Sequence, residues 1–444
     1  MKATVYPSAI TGTLAAPASK SQTIRAIAAA MLAEGLSIIH HPSPCDDALA
    51  MMEIARQLGC DLNYQNDLLE IKGAFRPTSF TFDCGESGLA ARLMIALTPA
   101  LFEDPVTISG KGSLLKRPLG NLCKVLQQMG ILCNSDHGKL PYHLSGKMKA
   151  GEVVVDGSES SQFVSGLLMA LPLLSGESKL VVQNLKSAPY VLMTLETIQK
   201  FGIEIKQIAP ETYHIGGNQN YNPTEITIEG DWSGAAFMMV AAALAGDLII
   251  NNLDIHSKQA DRQVIEALST AGIPVDISDN GITIRQQQPR PFRFDCTHCP
   301  DLFPPLAVLA ATARGTSTLS GVHRLQNKES NRGLSLQQEL AKMGIQIILD
   351  GDNMHIHGVA LTGATIDAHN DHRIAMAAAT AALVATTPIT IYGAGCISKS
   401  WPHFFDDLRS VGAKINVEEQ EKCTAHGAKS QKPGARSDIE LQNI

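Results

Sequence analysis

Seven cationic side chains stand where a cation does not favour helix formation. Six lie within a turn of a predicted helix start, where the helix dipole repels positive charge, and the seventh lies inside an alanine-rich run. They are Lys20, Arg25, Arg117, Lys328, Arg332, Arg373 and Lys399. Because this placement recurs along the chain, we interpret these residues as clamps for phosphates and carboxylates.

Two carboxyl groups could supply acid–base chemistry in the same place. Asp301 precedes a predicted helix over 302–313 and could also cap it. Glu329 lies between Lys328 and Arg332, a pattern that is also typical of an exposed helical ion pair. Adjacent cations should lower the pKa of Glu329. Proton donation by Glu329 therefore requires burial or a neighbouring carboxylate, and Asp301 is the candidate neighbour.

The elements that must position these residues come from a repeat. A phrase of helix, glycine and alternating strand recurs about every 70 residues. Its glycines, which suit the left-handed residue after a helix end, are Gly59, Gly130, Gly202, Gly272, Gly344 and Gly412. Each unit reads as strand, helix, strand, helix and a hairpin. The first helix of each unit is apolar on nearly all sides, which predicts burial: 24–32, 89–97, 163–171, 235–244, 306–313 and 374–383.

The repeat predicts an α/β fold of two lobes, each of three βαβαββ units with buried helices, as an inside-out α/β barrel. Unit 6 lacks one hairpin strand and the N-terminus has one to spare, so Ala3–Tyr6 should pair with the last unit. The expected lobes are 13–224, and 1–12 with 225–420, followed by a polar tail at 421–444. The chain then crosses twice, near Ile10–Thr13 and Asn222–Glu225, which makes a two-strand hinge.

Other polar residues at helix starts have simpler interpretations. Ser160, Ser187 and Asp231 are favoured as caps. The fourth unit offers Asp231–Ser233 and the pair Asp261 and Arg262, and neither matches a binding role.

Composition narrows the class of protein. A chain of 444 residues with 44% apolar content can bury a large core, and a net charge of −7 argues against general binding of nucleic acid or membrane surfaces. Nine scattered cysteines predict a reducing, cytoplasmic setting without a disulfide framework. The pair Cys296 and Cys299 has no partner pair at zinc-site spacing, so no metal is expected. No signal peptide or membrane-spanning run is apparent.

Six motifs, in order, resemble the 5-enolpyruvylshikimate-3-phosphate synthase family over about residues 10–415. They are PASKSQTIR (17–25), KRPL (116–119), SSQF (160–163), KESNR (328–332), NDHRIAM (370–376) and SKSWP (398–402). The resemblance implies two lobes of three βαβαββ units with the active site between them. It also implies no cofactor and no metal, two small-molecule substrates and a monomer. The chain shows no phosphate-binding loop or dinucleotide fingerprint.

The resemblance also implies residue roles. Shikimate-3-phosphate would be held by Lys20, Ser21, Arg25, Ser160, Ser161, Gln162, Ser187, Asp301 and Lys328. Phosphoenolpyruvate would be held by Lys20, Gly88, Arg117, Gln162, Arg332, Arg373 and Lys399. Asp301, helped by Lys20, would accept the proton of the attacking 5-hydroxyl. Glu329 would give a proton to the methylene carbon of phosphoenolpyruvate and take one back, through a tetrahedral intermediate.

Four positions depart from the family's usual pattern: Leu89, Ala188, Arg324 and Asn331. None of them removes a catalytic group. Leu89 and Ala188 leave the response to the inhibitor glyphosate open, and Arg324 is not assigned to the site.

Two alternatives remain at this point. The sister enzyme, UDP-N-acetylglucosamine enolpyruvyl transferase, shares the fold and the donor. It is less favoured because the loop KGSLLK (111–116) lacks the cysteine common in that family. The second alternative is a ring that clamps nucleic acid, which needs cations spread over its inner face to contact the phosphates. It is less favoured because the cations of this chain lie at helix starts beside carboxyl groups.

Overall fold

The computed structural model describes residues 1–73 and 77–419. The polar tail expected at 421–444 lies outside the described residues. In the described part the helices are α1 (Lys20–Leu32), α2 (Asp46–Gln57), α3 (Gly88–Leu101), α4 (Leu122–Gln128), α5 (Ser161–Ala170), α6 (Ala188–Lys200), α7 (Trp232–Ala245), α8 (Val264–Thr270), α9 (Phe303–Thr312), α10 (Arg332–Ala341), α11 (His372–Ala382) and α12 (Phe404–Ser410). Short 3₁₀ helices occupy Gly112–Lys116, Leu171–Leu173, Ala260–Gln263, Pro300–Leu302, Val322–Leu325 and Ala394–Lys399.

The strands of the described part alternate with these helices. They are β1 (Lys2–Tyr6), β2 (Ile10–Ala15), β3 (Gly35–His40), β4 (Asp61–Gln65), β5 (Leu68–Gly73), β6 (Thr81–Asp83), β7 (Val106–Ser109), β8 (Leu132–Asp136), β9 (Lys139–Ser145), β10 (Glu152–Asp156), β11 (Ser178–Gln183), β12 (Ile205–Ala209), β13 (Thr212–Ile215), β14 (Glu225–Thr227), β15 (Gly246–Asn251), β16 (Val275–Ser278), β17 (Gly281–Ile284), β18 (Arg293–Asp295), β19 (Thr316–Ser320), β20 (Gln346–Asp350), β21 (Asn353–His357), β22 (Thr365–Asp367), β23 (Ile389–Tyr392) and β24 (Lys414–Glu418).

These strands form six four-stranded sheets, one for each repeat unit. In each sheet a parallel pair is extended by an antiparallel hairpin, as in the order β10-β11-β13-β12. The six repeat glycines all have φ between 80° and 113°, which a left-handed turn after a helix requires. In the last sheet β1 lies between β23 and β24, so the prediction that Ala3–Tyr6 completes the last unit is confirmed.

The opening strands of units 1 and 4 are exchanged between sheets. β2 pairs in parallel with β15, and β14 pairs in parallel with β3. The chain therefore crosses between sheets later than the predicted Ile10–Thr13 and Asn222–Glu225. The crossing segments are 16–19 and 228–231, where Asp231 N–H donates to the Pro17 carbonyl at 2.7 Å and Ala18 bridges Gly230. The local strand pattern is the same for either partner, so the pattern could not distinguish them.

Two groups of buried apolar side chains underlie the sheets. One, here called the N-terminal core, spans 24–228, and the other, the C-terminal core, joins 3–16 to 232–413. The first helices of the units fill them: α3 packs on α5, and α7, α9 and α11 pack on one another. Every residue of α7 is buried, as its small apolar composition predicts. No helix in the described ranges is long and apolar enough to cross a membrane.

One pair of cysteines departs from the expectation. Cys123 in the first turn of α4 and Cys133 on β8 form a disulfide, because the turn at Gly130 lets β8 run back beside the helix. Five other described cysteines are free and buried, namely Cys45, Cys84, Cys296, Cys299 and Cys396, and Cys60 is also buried.

Candidate active site

A cavity of about 340 Å³ lies between the two cores and is lined by residues of both. The N-terminal core contributes Ser21, Arg25, Arg117, Ser160, Ser161, Gln162 and Ser187 to its wall, and the C-terminal core contributes Asp301, Arg324 and Lys328. Nine of the residues singled out from the sequence therefore share one cavity, although they come from units 1, 2, 3 and 5.

Arg25 forms one buried wall of this cavity. Its side chain is fixed by a donated bond from Nε to Thr194 Oγ1 at 2.7 Å and from Nη1 to the Ser21 carbonyl at 2.8 Å. The guanidinium also lies over the ring of Tyr190, 6.0 Å from its centroid. Burial lowers the pKa of Arg25 to about 10, so it remains a cation at neutral pH.

Lys20 begins α1 directly after the first crossing segment. Its ammonium donates to Asp47 Oδ2 at 3.0 Å, and its backbone N–H donates to Asp231 Oδ2 at 3.1 Å. Burial would lower the pKa of Lys20, but Asp47 and then Glu329 raise it above its usual value. Asp231 also caps α7 by accepting from Gly234 N–H, so it serves two helix starts.

Asp301 lies within a group of three cations. One carboxylate oxygen accepts from Arg332 Nη1 at 2.7 Å and from Lys328 Nζ at 3.3 Å, and the other accepts from Arg373 Nη2 at 3.4 Å. Burial alone would raise the pKa of Asp301, but the three cations hold it well below its usual value. Asp301 belongs to the 3₁₀ helix before α9 and makes no side-chain cap bond within the described residues, so the expected capping role is wrong.

Glu329 binds the guanidinium of Arg332, which also binds Asp301. It accepts from Arg332 Nη2 at 2.6 Å, and Arg332 also binds Asp371 through Nε at 3.0 Å. Burial opposes the ionisation of Glu329, but Arg332 and further cations hold its pKa well below the usual value. The prediction that adjacent cations lower the pKa of Glu329 is confirmed. The prediction that Asp301 raises this pKa is wrong, because Arg332 neutralises both Asp301 and Glu329. The side chain of Glu329 is 16% exposed, so an exposed ion pair is also excluded.

Gly88 and Lys399 are not among the residues that line the cavity, whereas Arg117 lines it and contacts Gly88. A Cβ on Gly88 would approach Arg117 Nη1 to 2.9 Å, so the glycine makes room for that guanidinium. Lys399 donates to Glu86 Oε2 at 3.0 Å and to the Asn370 carbonyl at 2.8 Å. Since Glu86 belongs to the N-terminal core, this ion pair joins the two cores.

The serines behave differently from one another. Ser160 caps α5 by accepting from Gln162 N–H, which leaves Ser161 in the first turn and on the cavity wall. Ser187 has φ 54° and caps nothing in the described structure; its hydroxyl instead accepts from Arg324 Nη2 at 3.1 Å. Asn331 caps α10 by accepting from Leu334 N–H, a role that an aspartate would fill equally well.

The helix-start interpretation holds for only part of the cation set. Lys20, Arg332 and Arg373 stand in first turns. Lys328 lies four residues before Arg332, in the connection to α10. Two cations instead stand at the ends of short 3₁₀ helices and precede α4 and α12 by a loop: Arg117 follows Gly112–Lys116, and Lys399 is the last residue of Ala394–Lys399.

Four residues of the site were missed or left unassigned. Arg92 donates to Gln162 Oε1 at 3.0 Å, and Arg324 donates to the Ser158 carbonyl at 2.7 Å across the cores. Arg92 could have been found in the sequence, because it is a cation inside the apolar run of α3. Arg25 was found in this way inside the alanine-rich run of α1. Tyr190 and Glu86 carry no such signal, because their partners lie far away in the chain.

Several buried guanidinium donors near Asp301 and Gly88 have no partner in the described residues. Arg373 Nε and Nη1 and Arg117 Nε make no hydrogen bond in residues 1–73 and 77–419. A buried guanidinium N–H without an acceptor is costly, so this side of the site is built to receive an anion. No cluster of three or more side chains suited to a metal ion occurs in those ranges.

Comparisons with known proteins agree on one family. A family model described as EPSP synthase (3-phosphoshikimate 1-carboxyvinyltransferase) matches residues 5–408. A 3-phosphoshikimate 1-carboxyvinyltransferase of Clostridium kluyveri is 36% identical over 419 residues, which cover 93% of this chain and 97% of the relative. One from Methanocorpusculum labreanum is 36% identical over 424 residues, covering 94% and 100%.

Solved structures give the same result for the fold. An EPSP synthase from Acinetobacter baumannii has a TM-score of 0.78 at 26% identity, covering 94% of this chain and 100% of that one. The enolpyruvyl transferase NikO from Streptomyces tendae has a TM-score of 0.76 at 18% identity over 94% and 98%, and it shows the fold alone.

Proposed function

The chain belongs to the EPSP synthase family, and on that premise we propose how its residues carry out the family's reaction. The reaction transfers the enolpyruvyl group of phosphoenolpyruvate to the 5-hydroxyl of shikimate-3-phosphate and releases phosphate, a step of the shikimate pathway. The observation that carries the mechanism is Arg373, which donates to Asp301 through Nη2 while its Nε and Nη1 have no partner in the described residues.

Each substrate brings a phosphate and a carboxylate, and the cations divide between them. Shikimate-3-phosphate binds the wall made by Lys20, Ser21, Arg25, Ser160, Ser161, Gln162, Ser187, Asp301 and Lys328. Phosphoenolpyruvate binds Lys20, Gly88, Arg117, Gln162, Arg332, Arg373 and Lys399. The unpartnered N–H groups of Arg117 and Arg373 support the second assignment, because an anion there completes their hydrogen bonds.

Glu329 acts on the methylene carbon. Burial would raise the pKa of Glu329, but Arg332 holds it low, which would disfavour the protonated form. The anionic donor substrate neutralises Arg332 and Arg117 when it binds, so the pKa of Glu329 rises toward the range of a general acid. Its proton goes to C3 of phosphoenolpyruvate, which makes C2 electrophilic.

Asp301 acts on the acceptor hydroxyl. As the 5-hydroxyl oxygen bonds to C2, Asp301 takes its proton with help from Lys20, and the tetrahedral intermediate forms. Glu329 then takes a proton back from C3, the C2–C3 double bond forms again, and the bond from C2 to the phosphate oxygen breaks. Positioning by the surrounding cations and acid–base transfer supply the acceleration.

The two cores act as lobes in this proposal. Shikimate-3-phosphate contacts cations of both, so its binding should bring them together about the crossings at 16–19 and 228–231. The pairs that already span the gap, Arg324 with Ser158 and Lys399 with Glu86, support closure between these surfaces. Small-angle scattering should show compaction on saturation with shikimate-3-phosphate, and an unchanged radius of gyration would contradict it. One chain supplies both walls, which supports a monomer, and we place it in the cytoplasm.

The reaction assignment is tested by following phosphate release with two acceptors. Phosphoenolpyruvate is offered with shikimate-3-phosphate in one series and with UDP-N-acetylglucosamine in the other. We expect release only with shikimate-3-phosphate. Turnover confined to the sugar nucleotide would reject the proposed function in favour of the sister enzyme.

A further inference from the structure

Asp261 is a buried carboxylate that the mechanism leaves unused. It lies in the 3₁₀ helix Ala260–Gln263 of the fourth unit and is 0% exposed. A carboxylate in such a place destabilises the fold unless its contacts compensate. The sequence assigned no substrate-binding residue to this unit, so substrate binding does not explain why Asp261 is buried.

Its hydrogen bonds reach across the two cores. Ser233, at the start of α7, donates to Asp261 Oδ2 from within the C-terminal core. The hydroxyl of Tyr190, on α6 of the N-terminal core, donates to the same oxygen at 3.0 Å. Asp261 Oδ1 has no hydrogen-bond partner in the described part of the chain. Tyr190 is thus held at its hydroxyl by one core and at its backbone by the other.

Tyr190 is itself part of the substrate cavity. Its side chain lines the cavity wall, its ring lies against the Arg25 guanidinium, and its carbonyl accepts from Arg25 Nη2 at 3.4 Å. Cβ and the hydroxyl oxygen lie at the two ends of the ring axis, so fixing the hydroxyl at the far end fixes the direction of that axis. The position of the ring in turn limits where the Arg25 side chain can lie.

The charges around Asp261 fit a fixed hydrogen-bond acceptor. Burial and then the nearby Asp301 raise the pKa of Asp261 to about 6, and Arg373 opposes the rise. Burial and then the charge of Asp261 raise the pKa of Tyr190. The pKa of Cys299 is also raised, first by Cys296 and burial and to a smaller extent by Asp261. At neutral pH Asp261 is therefore ionised, and Tyr190 keeps its proton to donate.

We propose that Asp261 is a positioning residue that anchors Tyr190 from the opposite core and thereby sets the cavity wall at Arg25 for shikimate-3-phosphate. The inference rests on the proposed function. It gives the fourth unit a role: that unit contacts no substrate but holds a side chain of the facing core in place. It also joins the two cores beside the cavity, since the hydroxyl of Tyr190 donates to Asp261 across them.

The test is a double-mutant cycle in the phosphate-release assay. Tyr190→Phe removes the donor and Asp261→Ala removes the acceptor, while Asp261→Asn keeps one acceptor oxygen. Tyr221→Phe is the matched control, because that buried hydroxyl donates to the Met169 carbonyl inside the N-terminal core, away from the cavity. KM for each substrate, kcat and the melting temperature are measured for every variant.

We expect Tyr190→Phe and Asp261→Ala each to raise KM for shikimate-3-phosphate about tenfold, the scale of one hydrogen bond to a charged acceptor. The double variant should be no worse than either single one, Asp261→Asn should recover most of the loss, and KM for phosphoenolpyruvate should stay within about twofold. Tyr221→Phe should change the melting temperature alone.

Additive effects, or an unchanged KM for shikimate-3-phosphate in Tyr190→Phe, would overturn the inference and leave the proposed function standing. A parent protein that releases no phosphate from the two substrates would overturn both. Because Tyr190→Phe keeps the ring and its packing, it decides the question even if Asp261→Ala fails to fold.

Discussion

The replacement of Glu329 by glutamine is the sharpest test of the acid–base assignment. Glutamine has nearly the same shape, and its carbonyl oxygen can still accept from Arg332 Nη2, which lies 2.6 Å from the carboxylate. Arg332 keeps Asp301 and Asp371 as anionic partners. The fold and the anion-binding groups should therefore survive, and only the exchangeable proton is lost.

The size of the effect follows from the chemistry that is removed. A positioned general acid contributes about 10²–10⁴ in rate, which corresponds to about 2.7–5.4 kcal/mol of barrier. We expect Glu329→Gln to lower kcat by at least about 100-fold, with KM for phosphoenolpyruvate within about threefold of the parent. The lost proton transfer acts in both half-reactions, so a second side chain cannot easily replace it.

Solvent exchange separates proton transfer from the other steps. In D₂O the parent should incorporate deuterium into the methylene group of recovered phosphoenolpyruvate, because Glu329 gives and takes back a proton at C3. Glu329→Gln should incorporate little. The control is Glu339→Gln on α10, the helix that begins three residues after Glu329. Glu339 is a buried carboxylate paired with Lys342 at 2.6 Å and His369 at 2.8 Å outside the cavity. Deuterium incorporation by Glu329→Gln at the parent's rate would refute the assignment.

Three further outcomes are expected from the same cluster. Arg332→Met should destabilise the protein by about 3–5 kcal/mol in urea denaturation, because Glu329 and Asp371 lose this cation and Asp301 is left with Lys328 and Arg373, whereas Arg409→Met at an exposed pair should cost under about 1 kcal/mol. Asp301→Asn should lower kcat about 100-fold with the fold intact by circular dichroism, since an amide cannot take the hydroxyl proton. Because the pKa values of Asp301 and Glu329 are depressed in the fold, their stabilisation is present above about pH 4 and is lost as pH falls further; Glu329→Gln should flatten that acid limb of unfolding free energy.

Much of the fold was predictable because its signals are local. Runs of small apolar residues predicted the buried first helices, and the count of strands predicted that β1 completes the last sheet. The exchange of β2 and β14 was not predictable in this way. Both strands alternate in the same manner and join parallel neighbours, so only packing of the whole chain decides which sheet each enters.

The site was predictable in its charges and less so in its contacts. Lysine and arginine at helix starts are locally unfavourable, which made them visible in the sequence. Tyr190 and Asp261 are separated by 71 positions, and Asn370 and Glu86 by 284, and no short-range pattern relates such pairs. The shared neutralisation of Asp301 and Glu329 by Arg332 also needed the structure, because the side-chain directions decide it.

The strand exchange has a consequence for Lys20. Because β2 and β14 enter opposite sheets, the two crossing segments run side by side, and α1 and α7 begin directly after them. Asp231 therefore holds the backbone of Lys20 from the C-terminal core, while Asp47 holds its ammonium from the N-terminal core. In the proposed closure, a rotation about the crossings leaves Lys20 nearly in place and carries Asp301 toward Arg25. Such a pivot suits the role proposed for Lys20, which is to assist Asp301 and to contact both substrates, because a residue at the pivot moves least in the proposed closure.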